Sequence, residues 1–450
     1  MAVIQFKRIS LQALLLIVCF AVFSAPLRAQ SLIRDSEIEY ALKRLAQPIF
    51  NAAGLNAKRI KILIIKDSSL NAFVVDNQHM FIHSGLILKL KSAEELQAVI
   101  SHEAAHMANG HISRRLLNIR SAKTAAGMGM LLAAVAAAAS GNGQAAGGIA
   151  VGTMSSAQRV LLSHTRSEES SADQSGARYM ARAGIDPAAM VKVLDIFRGQ
   201  EALSISRRDP YTLTHPLTRE RLRNVKGYAA AYTPQGTPDP NAAYWYARAR
   251  GKLGAFIRNS KWGLREAKRS PFKDVTLMMQ AVSYHRVPNL KKALKAVNGL
   301  IAIRPNDPYA YELKGQILLE SRQAKSGASA YAKAVALAPH DALILAGYGR
   351  ALLAQNTRSS IKKALTVLEK ARARDPQDAR MMRDLAVAYA KSGNNGMASL
   401  ATAERYAIQG RLKDAGLHAT RAAGLLPRGS IGWNRAQDVI SAAKAASKRR

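Results

Sequence analysis

Pro305 and Pro339 stand 34 residues apart, and Gly315, Tyr331 and Ala334 occupy small and aromatic positions between them. The next unit closes on Pro376 and repeats the order with Gly349, Ala364 and Ala371, carrying three extra residues around Thr357 to Ser360. A less regular unit ends at Pro427, and upstream Lys291 to Ile303 supplies a helix that closes on Pro305. A 34-residue period is that of a helix pair, and such a pair can bury its apolar face only on its neighbours. Residues 241–450 are therefore expected to stack three to four helix pairs into an all-α solenoid with a curved binding surface.

The first half reads differently. Thr233-Pro234-Gln235-Gly236-Thr237-Pro238-Asp239-Pro240 is a breaker-rich linker, so residues 234–240 are expected to separate the repeats from an α+β unit over residues 30–233. Within that unit Ile33, Ile38, Leu42, Leu45 and Ile49 predict an amphipathic helix over residues 32–57. The β-branched run from Ile60 to Ile65 predicts a strand, and Ala72 to Val75 and His79 to His83 predict a hairpin turning at Asp76-Asn77. Ser92, with Glu95 three residues on, has capping-box spacing and starts a helix that stops at Gly110. Further helices are expected from Ser167 to Arg182 and after Asp186-Pro187.

His102-Glu103-Ala104-Ala105-His106 falls inside the capped helix. Positions i and i+4 share one helix face, so both imidazoles can address one ion. Glu103 is rotated by about 100° from His102, where it reaches an activated water without being a ligand. A catalytic zinc takes three protein ligands and leaves one position for water. Glu168, Glu169 and Asp173 on the later helix are the candidates, and Glu169 is the expected third ligand to one zinc ion per chain. Asp173, one turn on, is then placed to accept from the outer nitrogen of a ligating histidine. Ala172 and Gly176 would let the two helices approach closely. His111 reads as a helix-end or supporting residue, and His215 as an exposed histidine in a loop before a basic helix.

Composition excludes disorder: 48% of residues are hydrophobic and 21% charged. The charge is the outlier, with 66 basic against 30 acidic residues for a net +36. Before residue 235 the counts are 28 and 16, and after it 38 and 14, so most of the excess sits on the repeats. Nucleic acid would be the reflex partner, but Lys7 and Arg8 precede an apolar run from Leu11 to Phe23 and a small-residue exit at Ala25 to Ala29. That is a secretory signal peptide over residues 1–29, with cleavage expected after Ala29 and a periplasmic destination. Val18 ahead of the single cysteine, Cys19, argues against lipidation, and the exported chain would carry no thiol. The polyanions it could meet are anionic membrane surfaces and acidic envelope polypeptides rather than nucleic acid. Residues 124–158 carry no charge and are rich in Ala and Gly, which fits either lid helices near the site or a hairpin that dips into a membrane surface.

Taken together, His102 to His106, Glu169-Ser170-Ser171-Ala172-Asp173, the Asn71-Ala72-Phe73 strand and the His215-Pro216 loop resemble the zinc metallopeptidases related to HtpX and the CAAX prenyl protease. The likeness covers about residues 35–230 and fits the exported branch of that family with a tetratricopeptide-repeat tail. It implies a zincin-like domain that hydrolyses peptide bonds, with Glu169 as ligand. It also implies that Asn71, Ala72, Phe73 and Val74 form a substrate-side edge strand, and that His215 lies near the metal and masks it. Arg221, or His215 once displaced, could donate to the developing oxyanion, and the residues do not choose between them. The expected substrates are misfolded or stalled envelope polypeptides, with outer-membrane assembly machinery held by the repeats. The alternative is a non-proteolytic assembly factor with a masked metal site.

Overall fold

The computed structural model describes residues 32–114, 165–204 and 207–447. The signal-peptide reading and the Ala/Gly stretch 124–158 lie outside the described residues. Among the described residues no helix is long and apolar enough to cross a membrane.

The chain opens with strand β1 (Leu32–Ile33), helix α1 (Ser36–Ala52) and strands β2 (Lys61–Ile65), β3 (Ala72–Val74) and β4 (His79–His83). The helix expected over 32–57 is therefore shorter. Leu32 and Ile33 pair antiparallel with Ile65 and Ile64 instead, and Asp35 caps α1 by accepting from the Ile38 N–H. The sheet order is β1-β2-β4-β3. β4 runs parallel to β2 and antiparallel to β3, so the hairpin leaves β3 as an edge strand. One face of α1, built from Ile38, Leu42, Leu45 and Ile49, is fully buried against the core, each side chain stabilising the fold by roughly 1.5–3 kcal/mol.

Helices α2 (Ser84–Lys89), α3 (Ala93–Ala108), α4 (Arg166–Arg182), α5 (Ala188–Ile196), α6 (Pro210–Thr214) and α7 (Arg219–Ala231) complete the first unit. Ser92 caps α3 by accepting from the Glu95 N–H. The expected reciprocal bond is absent, because Glu95 reaches one residue further back and accepts from Lys91 N–H at 2.7 Å. Gly110 ends the helix with φ +68°, a backbone that side-chain-bearing residues rarely adopt.

Twelve helices follow between Ala242 and Ser447: α8 (Ala242–Ile257), α9 (Ser260–Ala267), α10 (Lys273–Arg286), α11 (Leu290–Ile303), α12 (Pro308–Glu320), α13 (Ala324–Leu337), α14 (Ala342–Gln355), α15 (Arg358–Arg374), α16 (Ala379–Lys391), α17 (Asn395–Ile408), α18 (Leu412–Leu425) and α19 (Ile431–Ser447). That is six pairs, not three to four. The pairs at either end lack the Pro-to-Pro spacing that marks the central ones. The small residues have a steric reason: a Cβ on Gly315 would sit 2.6 Å from the Tyr331 ring, and one on Gly349 2.5 Å from Leu368. The solenoid folds back on the first unit. Tyr246, Ala249 and Leu253 of α8 join the same core as α1 and α3, and Asp375 holds Arg34 at 2.7 Å and Lys61 at 3.0 Å.

Candidate metal centre

Four side chains from three separate segments converge in the interior. His102, His106, Glu169 and His215 are all buried, and one donor atom from each lies within 4.8 Å of the others. α3 places the two histidines one turn apart, with their Nε2 atoms 3.1 Å from each other. α4 brings Glu169 to 3.5 Å from His102 Nε2 and 3.4 Å from His106 Nε2. The helices can approach this closely because Gly176 faces the backbone of Ser101 and His102, where a Cβ would already be at 3.4 Å.

His215 is not in an exposed loop. It caps the C-terminus of α6 with 1% of its surface exposed. Its segment is tied to the sheet by Tyr211 N–H donating to Leu70 C=O and Leu70 N–H donating to Asp209. The Tyr211 ring lies against the His215 ring, centroids 4.6 Å apart, and stacks on Phe197 behind it. Sequence reasoning missed Tyr211, and an aromatic four residues before the histidine was its only signal. His215 Nδ1 is 2.9 Å from Glu169 and 3.4 Å from His102 Nε2. Its Nε2 lies 3.3 Å from the Ala72 carbonyl of β3 and 3.4 Å from Glu103. Asn71, Ala72, Phe73 and Val74 thus border the cluster through one carbonyl, with all four side chains buried.

Behind this layer, Asp173 lies 2.9 Å from His102 Nδ1. Arg221 donates to Asp173 through Nε at 2.6 Å and Nη2 at 2.9 Å. Its Nη1 lies 2.6 Å from Glu169 and 3.3 Å from the His215 carbonyl. The sequence left Arg221 and His215 as alternative oxyanion donors; in the structure the Arg221 guanidinium pairs with the Glu169 and Asp173 carboxylates. His111, buried, sits with Nδ1 2.9 Å from His106 Nδ1.

The electrostatics follow from burial and this pairing. Burial alone would push Glu169 up, but Arg221, His215 and His102 outweigh it and hold its carboxyl well below the ordinary range. Asp173 is lowered in the same way, burial being outweighed by Arg221 and His102. Glu103 goes the other way: burial pushes its carboxyl up, with His215 and His102 offsetting only part. Among the described residues neither Glu103 oxygen takes a hydrogen bond, with His215 Nε2 standing 3.4 Å away. A buried carboxylate in that condition costs about 1–3 kcal/mol or more unless something else takes the bond.

The donor set fits a metal ion. Tetrahedral ligands at about 2.0–2.1 Å stand about 3.3 Å from one another. His102 Nε2 and His106 Nε2 are 3.1 Å apart, and Glu169 lies 3.4 Å from His106 Nε2 through Oε1 and 3.5 Å from His102 Nε2 through Oε2. Two imidazoles and a carboxylate are also the chemistry of a catalytic zinc site.

Residues 32–229 match the model of Peptidase family M48. The beta-barrel assembly-enhancing protease of Escherichia coli (strain K12) is 24% identical over 394 residues, covering 85% of this chain and 78% of that protein. Its namesake in Yersinia pestis is 27% identical over 244 residues, covering 52% and 49%. Across such relatives the matched stretch spans from 45% to 78% of their own length. Yeast Tom70 is 12% identical and covers 81% of this chain and 82% of that structure, with a TM-score of 0.33. The matched segment 32–229 contains every group of the cluster described above, so the similarity of this chain to Peptidase family M48 is carried by the residues that form the candidate metal centre.

Proposed function

We propose that the chain is a periplasmic zinc endopeptidase that cleaves misfolded or stalled envelope polypeptides, with clients or outer-membrane assembly partners held by the repeats. The observation that carries the reading is the Glu103 carboxylate, buried and without a hydrogen bond among the described residues, beside four donors close enough to share one metal ion. The names of the relatives, beta-barrel assembly-enhancing proteases, support the choice of partners.

A bound divalent ion supplies Lewis acidity and acidifies the attacking water. His102, His106 and Glu169 would hold it. Glu103 takes the proton of that water and returns it to the leaving amine, which its raised proton affinity suits. Asp173 and Arg221 fix His102 and Glu169 from behind. A substrate chain would add to the open edge of β3 through main-chain hydrogen bonds, with shallow side-chain pockets setting preference. His215 stands in the way, within reach of both the donors and the Ala72 carbonyl that such a strand would use. It would therefore have to swing out before cleavage, and the same step would free it to face the oxyanion.

Zinc content and casein cleavage of the wild type and Glu103→Gln test this. Retained zinc with at least about a hundredfold loss of cleavage is expected. His215→Ala should cleave faster; unchanged or lower activity would contradict masking. One observation favours the second reading, a non-proteolytic assembly factor: His215 sits where a water would enter. A wild type that binds zinc but cleaves nothing, joined by an equally inert His215→Ala, would establish it.

A further inference from the structure

A ligating histidine needs its inner nitrogen bare and its outer N–H anchored, since the anchor fixes both tautomer and ring angle. His102 has Asp173 at 2.9 Å for this purpose. We propose that His111 is the equivalent positioning residue for His106, accepting a hydrogen bond from His106 Nδ1–H through its own Nδ1. The inference rests on the zinc-site reading above and adds a residue to it.

The backbone is built to make the contact. Five residues along an uninterrupted helix amount to about 500°, which would leave positions 106 and 111 about 140° apart on the helix surface. The helix does not continue: Asn109 caps it and Gly110 turns at φ +68°. A new helical turn then starts at His111, closed by Arg114 N–H donating to Gly110 C=O. The joint is pinned to the Glu169 helix by the Asn109 amide, 3.0 Å from Ser171 Oγ and 3.3 Å from Ser175 Oγ. Ile112, buried, anchors the turn in the core. The result is two buried imidazoles at 67° with Nδ1 atoms 2.9 Å apart. His106 Nε2 meanwhile faces His102 and Glu169.

A contact between two Nδ1 atoms requires one proton between them. With His106 Nε2 given to the ion, that proton resides on His106 Nδ1, and the His111 proton moves to its Nε2. Charge explains the choice of a neutral acceptor. Glu103, Glu169 and Asp173 set against Arg221 already leave two negative charges around a dication, and a further carboxylate would make the buried site net negative. An imidazole acceptor orients His106 without that cost.

The test uses the full chain. Zinc dissociation constants are measured by competition with a chromophoric chelator for the wild type, His111→Phe, His111→Ala and His111→Asn. The Asn carboxamide oxygen can replace Nδ1 as acceptor; Phe and Ala cannot. Expected are affinities weakened about 10–100-fold for Phe and Ala, and recovery to near the wild type for Asn. Nitrogen-15 histidine NMR of the zinc-loaded wild type should show His111 protonated at Nε2 with a bare, hydrogen-bonded Nδ1, a tautomer that packing alone would not set. Deletion variants that bind zinc as the wild type does would overturn the proposal. So would folded variants all weakened alike, or a His111 protonated at Nδ1, the last needing no variant to fold. A wild type that binds no zinc would sink the zinc reading itself, and this inference with it.

Discussion

Lys252 is the most exacting test of how the two halves are joined. Its side chain is 0% exposed, with Nζ 2.9 Å from Asp35, 3.1 Å from Glu37 and 3.4 Å from Glu312. One turn back on α8, Arg248 binds Glu37 and Asp307. The cluster therefore sets two cations against four carboxylates drawn from both halves of the chain. Lys252→Met keeps the length of the side chain and creates no large cavity, but leaves Arg248 alone against four acids. Removing one partner from a buried ionic cluster costs about 3–5 kcal/mol. With a urea slope of about 3 kcal/mol per molar, the unfolding midpoint should fall by about 1–1.7 M. The deficit should depend on pH. Burial already pushes Glu312 up to about 8 against the pull of Lys252, and losing Lys252 raises it and its neighbours further. Carboxyls raised in the folded state bind protons that the unfolded chain releases, so the variant recovers stability as pH falls from 8 towards 4.5. Urea titrations of both proteins at pH 8, 6.5 and 5 measure this. A loss under about 1 kcal/mol, or one that does not shrink at low pH, would mean the cluster is not the ionic joint described.

His83, buried with Nδ1 2.9 Å from Ser69 Oγ, is held down to about 4 by burial, with Asp67 and Asp209 pulling the other way. Its folded value lies below the unfolded one of about 6.5, so stability is intact above 6.5 and falls by about 3 kcal/mol in all as pH drops to 4. His83→Asn should flatten that part of the urea-midpoint profile, and parallel profiles would reject the assignment. Binding of the Glu103→Gln chain to anionic vesicles or acidic client peptides should weaken steeply from 50 to 300 mM salt, over which the screening length falls to about half; binding indifferent to salt would assign the basic excess another role.

What the sequence made legible was local. The His102 and His106 spacing, the Ser92 cap and the β-branched run at Ile60 to Ile65 each report on a few neighbouring residues, and each stands in the structure where it was expected. Helix α1 is the instructive near miss. Leu32 and Ile33 continue its apolar period, yet Asp35 is an N-cap residue whose side chain stops the helix there, and the two residues before it are free to pair with β2. The burial of His215 could not be read from the local pattern, and only the family resemblance placed it near the metal. It depends on Tyr211 and Asp209 reaching Leu70, a contact across 139 to 141 positions with no trace in the local pattern. Lys252 was equally silent, since a lysine on an Ala-rich helix looks like a solvated one until Asp35 and Glu312 are seen around it.

The repeat period carried more than a fold. Pro305-Asn306-Asp307, Pro339-His340-Asp341 and Pro376-Gln377-Asp378 are the same turn three times, each aspartate capping the helix that follows. Two of the turns face the first half of the chain directly: Asp341 accepts from Ser36, and Asp375 beside the third turn holds Arg34 and Lys61, while Asp307 holds Arg248 of α8, which in turn binds Glu37. Asp239 adds a contact with Arg44, and Glu312 holds Lys252 of α8, which also binds Asp35 and Glu37. Only 14 acidic residues follow residue 235, and five of these are spent at that joint, three of them directly on first-half residues. Others pair inside the solenoid, as Asp384 does with Arg350 and Glu404 with Arg435. The acids are thus drawn inward, while most of the basic side chains that follow residue 235 among the described residues stand outside these ion pairs. The surface left for a partner is consequently more positive than the bare count implies, and it lies on the faces that the catalytic half does not cover.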